Sequence, residues 1–490
     1  MKRTLRLLLA ALLVLALGAA ALVSLRVTPE PVVTLEPEAR ALGRSSPVHA
    51  TAQATGRGLA ALRLELVQGD QVTVLAEKRY PARAPWAFWG PRTERAELRT
   101  DVGTEKVPGL KAGEATLRAV AERAGTWLLR PPPVVKEVRL PVRLLPPSLS
   151  ITSAQHYVTQ GGCEAVVYRV GATSVRDGVE AGEWFFPGHP LPGGGSEDRF
   201  ALFAVPYDDA DGKKVRLVAE DEVSNRGEVA VVDRFTARPF AHDKIPLEDA
   251  FLQKVVPEIL SRTPEIKEQA SLLDTFLLIN RELRAANAKT LRELGGRSNP
   301  SFLWKEAFLP LPGGKVMSAF ADRRTYVYQG KEVDQQYHLG FDLAATRNVP
   351  VPAANDGTVI LSRYFGIYGN AVVLDHGYGL MTLYGHLSSI DVAEGTEVKR
   401  GATLGRTGAS GLAAGDHLHF TTLLDGLPVN PNEWWDPHWV RDRIAGKLGA
   451  AFPFAGAPGE AKPPAAAAPA KKKAPAKAPA HPPAKKPKKR

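Results

Sequence analysis

The stretch NAVVLDHGYGLMTLYGHLS, residues 370–388, divides into two strand-forming runs, NAVVLDHG and LMTLYGHL, separated by a turn at Tyr378-Gly379. Branched and aromatic side chains fit a pleated surface, and a Gly-Tyr-Gly segment favours a reversal. Working outward, TVIL (358–361) reads as a further strand, and strand patterning holds from about Pro300 to Trp439. Residues 298–445 are therefore expected to form a β domain. Upstream, Phe251, Val255, Val256, Ile259 and Leu260 recur at helical spacing. Leu272, Leu273, Phe276, Leu277, Leu283 and Leu291 continue that spacing up to Gly295-Gly296. Residues 241–297 thus predict a helical hairpin.

Residues 148–240 carry the strand candidates EAVVYRV, RFALFAV, KVRLVAE and EVAVVDRF between turns such as DDADGK, a spacing that suggests an immunoglobulin-like sandwich. Residues 27–147 alternate in bursts such as LRLELV and EATLRAVAE, and a Pro-rich hinge at Leu145-Pro146-Pro147 ends them. The expected fold class is multidomain and mainly β: two immunoglobulin-like modules, a helical hairpin and a C-terminal β-sheet domain.

The net charge of +11 suggests nucleic acid until it is mapped. Ten of the 63 Lys and Arg lie in Ala461–Arg490 without any Asp or Glu, leaving 53 against 52 acidic residues elsewhere. The body is nearly neutral, and no nucleic-acid partner is expected. Residues 446–490 read as a disordered Ala/Pro/Lys-rich tail able to contact anionic wall polymers or lipid headgroups. Cys163 is the single cysteine, so it reads as a small buried hydrophobe. At the other end, Lys2, Arg3 and Arg6 precede an uncharged run, Leu7–Leu25, closed by Arg26. Nineteen helical residues nearly span a hydrocarbon core of about 30 Å. Residues 1–26 therefore read as a cytoplasmic stub and inner-membrane anchor, or as a signal peptide cut near Ala19-Ala20-Ala21. Either way the chain is exported to the cell envelope.

Chemistry gathers in HLGFD (338–342), LYGHLS (383–388) and DHLHF (416–420). On extended chain, His338 and Asp342 share a face, as do His417 and His419. Two such pairs plus His386 in one domain support a His/Asp metal site, with histidines to spare. Spacing alone does not say which are spare. His376, at a strand end before glycines, reads as a structural hydrogen-bonding residue, and His438 as peripheral.

The segments HLGFDLAA (338–345), VPVPAANDGTV (349–359), GNAVVLDHGYGLMTLYGHLS (369–388), EGTEVKRGATLGRTGASGLAAGDHLHF (394–420) and VNPNEWW (429–435) together resemble the catalytic domain of the LytM/lysostaphin-type zinc endopeptidases. That family cuts peptide crosslinks in peptidoglycan. The resemblance covers roughly a fifth of the chain. It implies an antiparallel sheet with Zn2+ held by His338, Asp342 and His419, and His386 and His417 as catalytic, non-ligand histidines. It implies peptidoglycan as substrate, hydrolysed through a metal-activated water, with a diaminopimelate-type crosslink or a glycine bridge as the bond cut. Groove loops at Arg323–Gln336 and Ser362–Gly369 are expected to set that choice. A non-catalytic activator or scaffold for other wall hydrolases is the alternative. The five intact positions argue against it.

Overall fold

The computed structural model describes residues 2–25, 29–81, 90–126, 129–452 and 454–455. The basic tail beyond 455 lies outside the described residues. Helix α1 (Lys2–Leu25) exposes Leu8, Leu12, Leu15 and Leu22 to solvent; over Arg3–Leu22 it is long and apolar enough to cross a membrane. Such a helix fits an anchor or a signal.

The chain is mainly β. In the first unit a three-stranded sheet (Val32–Pro37, Ser46–Gln53, Arg95–Val102) accompanies a four-stranded sheet of Gln71–Arg79, Leu59–Gln68, Gly113–Arg123 and Val134–Val142. Leu35, Val48, Leu64, Leu66 and Leu117 form the core between them. The next unit repeats the plan with two four-stranded sheets, one centred on Cys163–Val170 and Asp198–Ala204, the other on Ser174–Ala181 and Arg216–Asp221. Cys163 is buried and unpaired.

Two helical stretches follow. Helix α2 (Asp249–Arg262) turns Leu252, Val255, Val256 and Ile259 inward. Helix α3 (Leu272–Leu278) runs through a π-helical turn, Ile279–Leu283, into helix α4 (Arg284–Gly295). The expectation of helix throughout 241–297 needs one correction. His242–Leu247 is a strand, paired parallel to Asp322–Tyr328. Its residues lack helical periodicity, and an open sheet edge supplies its hydrogen bonds.

The C-terminal unit is built on an antiparallel sheet in the order 315–318, 341–344, 418–424, 380–387, 370–377, 357–364, 397–398. The two runs that opened the sequence are its central pair, Asn370–Gly377 and Leu380–Leu387. The segment Arg323–Gln336, expected as a loop, is instead a hairpin of Asp322–Tyr328 and Lys331–His338. The C-terminal limit also moves. Gly446–Ala451 folds as short helical turns, and Leu448 and Phe452 are buried, with the Phe452 ring 4.6 Å from Trp304. Those apolar side chains bury enough surface to order a segment assigned to the tail.

This unit and the second β unit share one hydrophobic core. Phe200 packs edge-on to Tyr378 at 4.9 Å, and Trp434 and Trp435 are fully buried. Across the junction, the Glu433 carboxylate accepts the Thr159 hydroxyl at 2.9 Å and the Cys163 N–H at 2.7 Å.

His376 is fully buried, its Nδ1 2.7 Å from the Asp356 carbonyl and its Nε2 2.8 Å from the Thr382 hydroxyl. Burial pushes its imidazole down to about 4 from the usual 6.5. Between those values the unfolded chain binds the extra proton, so the stability from a neutral His376, complete above pH 6.5, is lost as pH falls through about 4. The unfolding midpoint is expected to drop on acidification from pH 7 to 4. His376→Gln should flatten that dependence by up to about 3 kcal/mol. An unchanged slope in the variant, read by calorimetry, would refute this role.

Candidate metal centre and its groove

Strand register brings the site together. Asp342 sits directly opposite His419 on neighbouring strands, and Gly385, beside His386, is opposite His419 on the other side. His338 ends the Lys331–His338 strand, and a bend at Leu339-Gly340 separates it from Phe341–Ala344. A straight strand would hold residues four apart roughly 13 Å from each other. The bend instead brings His338 Nε2 to 2.9 Å from Asp342 Oδ1. A Cβ on Gly340 would lie 2.7 Å from the His419 ring and 2.6 Å from the Thr421 hydroxyl, so a glycine is required for this approach.

His338 Nε2 and His419 Nδ1 are 3.1 Å apart, and His419 Nδ1 lies 3.0 Å from Asp342 Oδ1. A tetrahedral ion with bonds of about 2.0–2.1 Å separates its ligands by roughly 3.3 Å. Two imidazole nitrogens and one carboxylate oxygen thus form one face of such a site, and the donor set suits zinc. The remaining ring nitrogens are anchored. His338 Nδ1 is 3.0 Å from the Ala319 carbonyl, and His419 Nε2 is 2.9 Å from the Thr421 hydroxyl, which itself donates to the Leu339 carbonyl. Donating from Nδ1, His338 leaves Nε2 unprotonated toward the site.

His386 and His417 stand beside this trio without completing it. Their rings are 4.9 Å apart, and His386 lies 5.6 Å from His419. Each Nδ1 sits 2.8 Å from a backbone carbonyl, of Ser410 for His386 and of Gly415 for His417, which leaves Nε2 for the groove. His417 Nε2 is 3.4 Å from Asp342 Oδ1. It falls one residue before the strand Leu418–Leu424, bridged to Gly408. His386 has φ +62°, an uncommon conformation for a non-glycine residue in a strand, and such strain gathers where a side chain must be aimed.

Burial alone would push the Asp342 carboxyl up. His338, His417 and His419 outweigh it and hold the group well below the carboxylate range. Burial, reinforced by His417 and His419, keeps His386 well below 6.5. At His417 the same burial is overcome by the Asp342 carboxylate, which raises the imidazole. Asp342's other oxygen, Oδ2, accepts from Arg324 at 2.9 Å, and Arg324 also donates to the Ser318 hydroxyl at 2.8 Å. Sequence reasoning missed Arg324, Gly340 and Thr421. Thr421 was legible two residues beyond His419 on the same strand face, whereas Arg324 was hidden in a stretch read as a loop.

The groove above these residues encloses about 400 Å³, and helices α2 to α4 wall one side through Phe251, Phe276 and Arg284. Lys254 donates to the Ala413 and Ala414 carbonyls, and Glu258 accepts the Gly411 N–H. At the π-helical turn, Asn280 and Arg281 bond Asp334 of the strand Lys331–His338.

Residues 336–431 match the family model described as Peptidase family M23. This segment is an M23 peptidase domain. Over 94 residues it is 44% identical to the DD-carboxypeptidase/endopeptidase Mpg of Neisseria meningitidis serogroup B, covering 19% of this chain and 22% of that protein. Over 93 residues it is 42% identical to the peptidoglycan DD-endopeptidase ShyA of Vibrio cholerae, with the same shares. It is 37% identical over 95 residues to the murein hydrolase activator EnvC of Escherichia coli, covering 19% of this chain and 23% of that protein. The chain thus spans under a quarter of these relatives' length.

Thr421→Val, which keeps the shape and removes the His419 partner, is expected to weaken metal binding by the M23 domain 10- to 100-fold. Competition with a chromophoric chelator measures it. Unchanged affinity would mean the hydroxyl does not orient the ring.

Proposed function

We propose that the chain is a zinc endopeptidase that hydrolyses peptide crosslinks of bacterial peptidoglycan. The observation that carries this reading is the convergence of two separately anchored imidazoles, His386 and His417, on the His338–Asp342–His419 cluster in one groove. Zinc held by those three residues would supply Lewis acidity toward water and the scissile carbonyl. Arg324 fixes the carboxylate by its Oδ2, so that Oδ1 faces the histidines. His417 and His386 each offer Nε2 toward the groove, and an imidazole there can take a proton from the attacking water and return one to the leaving amine. Protonated, either can also donate a hydrogen bond to the oxyanion. The names of the relatives support a peptidoglycan substrate.

In this reading α1 is a single-pass anchor in the inner membrane, or a signal, with the bulk of the chain outside the cytoplasm. Residues 27–147 and 148–240 are sandwich modules of the immunoglobulin kind, 248–297 a helical segment, 298–452 the peptidase unit, and the basic tail contacts anionic wall or lipid.

The test uses the metal-loaded full chain with crosslinked muropeptides. His417→Ala and His386→Asn are each expected to keep one zinc and lose 10²- to 10⁴-fold in cleavage rate. Chelation should abolish cleavage, and added zinc should restore it. Stoichiometric zinc without cleavage by the parent would favour an activator of other hydrolases. Absence of zinc would overturn the ligand set.

A further inference from the structure

Beyond the His417 loop the groove opens into a second cleft of about 1040 Å³ that shares Ala414, Gly415 and Asp416 with the metal site. Three cations from three separate elements line it: Lys254 of α2, Arg347 of the loop after Phe341–Ala344, and Arg406 of the strand Thr403–Arg406. All three are exposed. The one carboxylate in the lining, Asp416, is already engaged by the Asn348 N–H at 3.2 Å. Lys254 and Arg406 are partly committed, to the Ala413 and Ala414 carbonyls and to the Asn348 carbonyl. Arg347 has no hydrogen bond or ion pair among the described residues. Ser388 and Asn348 also line the cleft, the Ser388 hydroxyl donating to Asn348 Oδ1 at 3.0 Å.

We propose that this cleft is the subsite for the carboxylate-bearing part of the peptide substrate, an inference that rests on the endopeptidase reading above. Charge complementarity selects the occupant. Stem peptides of peptidoglycan carry free carboxylates from glutamate and, in many walls, diaminopimelate, spaced along a chain that must extend past the scissile bond on both sides. Planar guanidinium groups match carboxylates in geometry as well as charge. Because the cleft shares the Ala414–Asp416 rim with the metal site, a peptide seated in it runs directly to the His417 loop. The cations therefore act on binding and register rather than on the chemical step. Their contribution should appear in KM and not in kcat.

The experiment compares two crosslinked muropeptides, one with free carboxylates and one with the same carboxylates amidated, on the zinc-loaded full chain and its Arg347→Gln variant. The parent is expected to prefer the acidic substrate. The variant should raise KM for that substrate roughly 2- to 5-fold, as for an exposed charge-assisted pair. Its kcat and its handling of the amidated substrate should stay unchanged. Equal cleavage of both substrates by the parent, or an equal loss on both in the variant, overturns the subsite. Inorganic phosphate that inhibits the parent but not the variant, without discrimination between the peptides, reveals a general anion patch and also overturns it. If the parent cleaves neither substrate, the endopeptidase reading fails. The cleft is then judged by equilibrium binding of the two labelled peptides, and equal affinities refute it.

Discussion

One half-hidden carboxylate organises this protein's chemistry. Asp342 is largely withdrawn from water, where an isolated negative charge would be costly. It stays ionised because His338, His417, His419 and Arg324 all converge on it. The division of labour between its oxygens matters most. Oδ2 is tied to a permanently charged guanidinium, and Oδ1 faces three imidazoles. An arrangement so rich in lone pairs and basic groups on one oxygen is what a cation resolves, and each outer nitrogen already has a partner that holds its ring in place.

Getting four groups onto one carboxylate is a problem of sheet geometry. Antiparallel register puts Asp342 against His419 and His419 against Gly385, so two of the pieces follow from pairing alone. The rest require departures from regular strand. The bend at Gly340 folds His338 back, and the positive φ of His386 re-aims its ring. Local irregularity at a site carried by a stiff sheet is how catalytic groups are usually aimed. The strands beneath are almost continuously buried, as Leu380–Leu387 and Leu418–Leu424 show, and that packing holds the irregular residues in place.

Much of this was legible in residue order. The central strand pair, the helical periodicity of α2 to α4 and the gathering of histidines with Asp342 in one domain have short-range signatures: runs of branched residues, a 3.6-residue period, or histidines at strand spacing. What escaped was of longer range. The strand His242–Leu247 forms because the edge at Asp322–Tyr328 is open, a fact about a partner some eighty residues away. Arg324 matters only through its position beside Asp342, and Leu448 and Phe452 are ordered only by a core built from distant aromatics. Even the correct pairing of His338 with Asp342 had the wrong reason, since extended chain would have kept them apart.

The shared core between the second β unit and the M23 domain has a consequence for how such a chain can be rebuilt. Glu433 reaches across the junction into Thr159 and Cys163, burial pushes its carboxyl up to about 7, and Phe200 packs against Tyr378. A family match of 96 residues invites treating the matched part as a cassette that can be lifted out and grafted elsewhere. Here a cut near residue 298 would strip the sheet edge of its parallel strand, leave α2 to α4 behind and expose a face meant to be interior. The natural unit of recombination runs from about 148 to 455, so shuffling of this lineage should preserve that block whole.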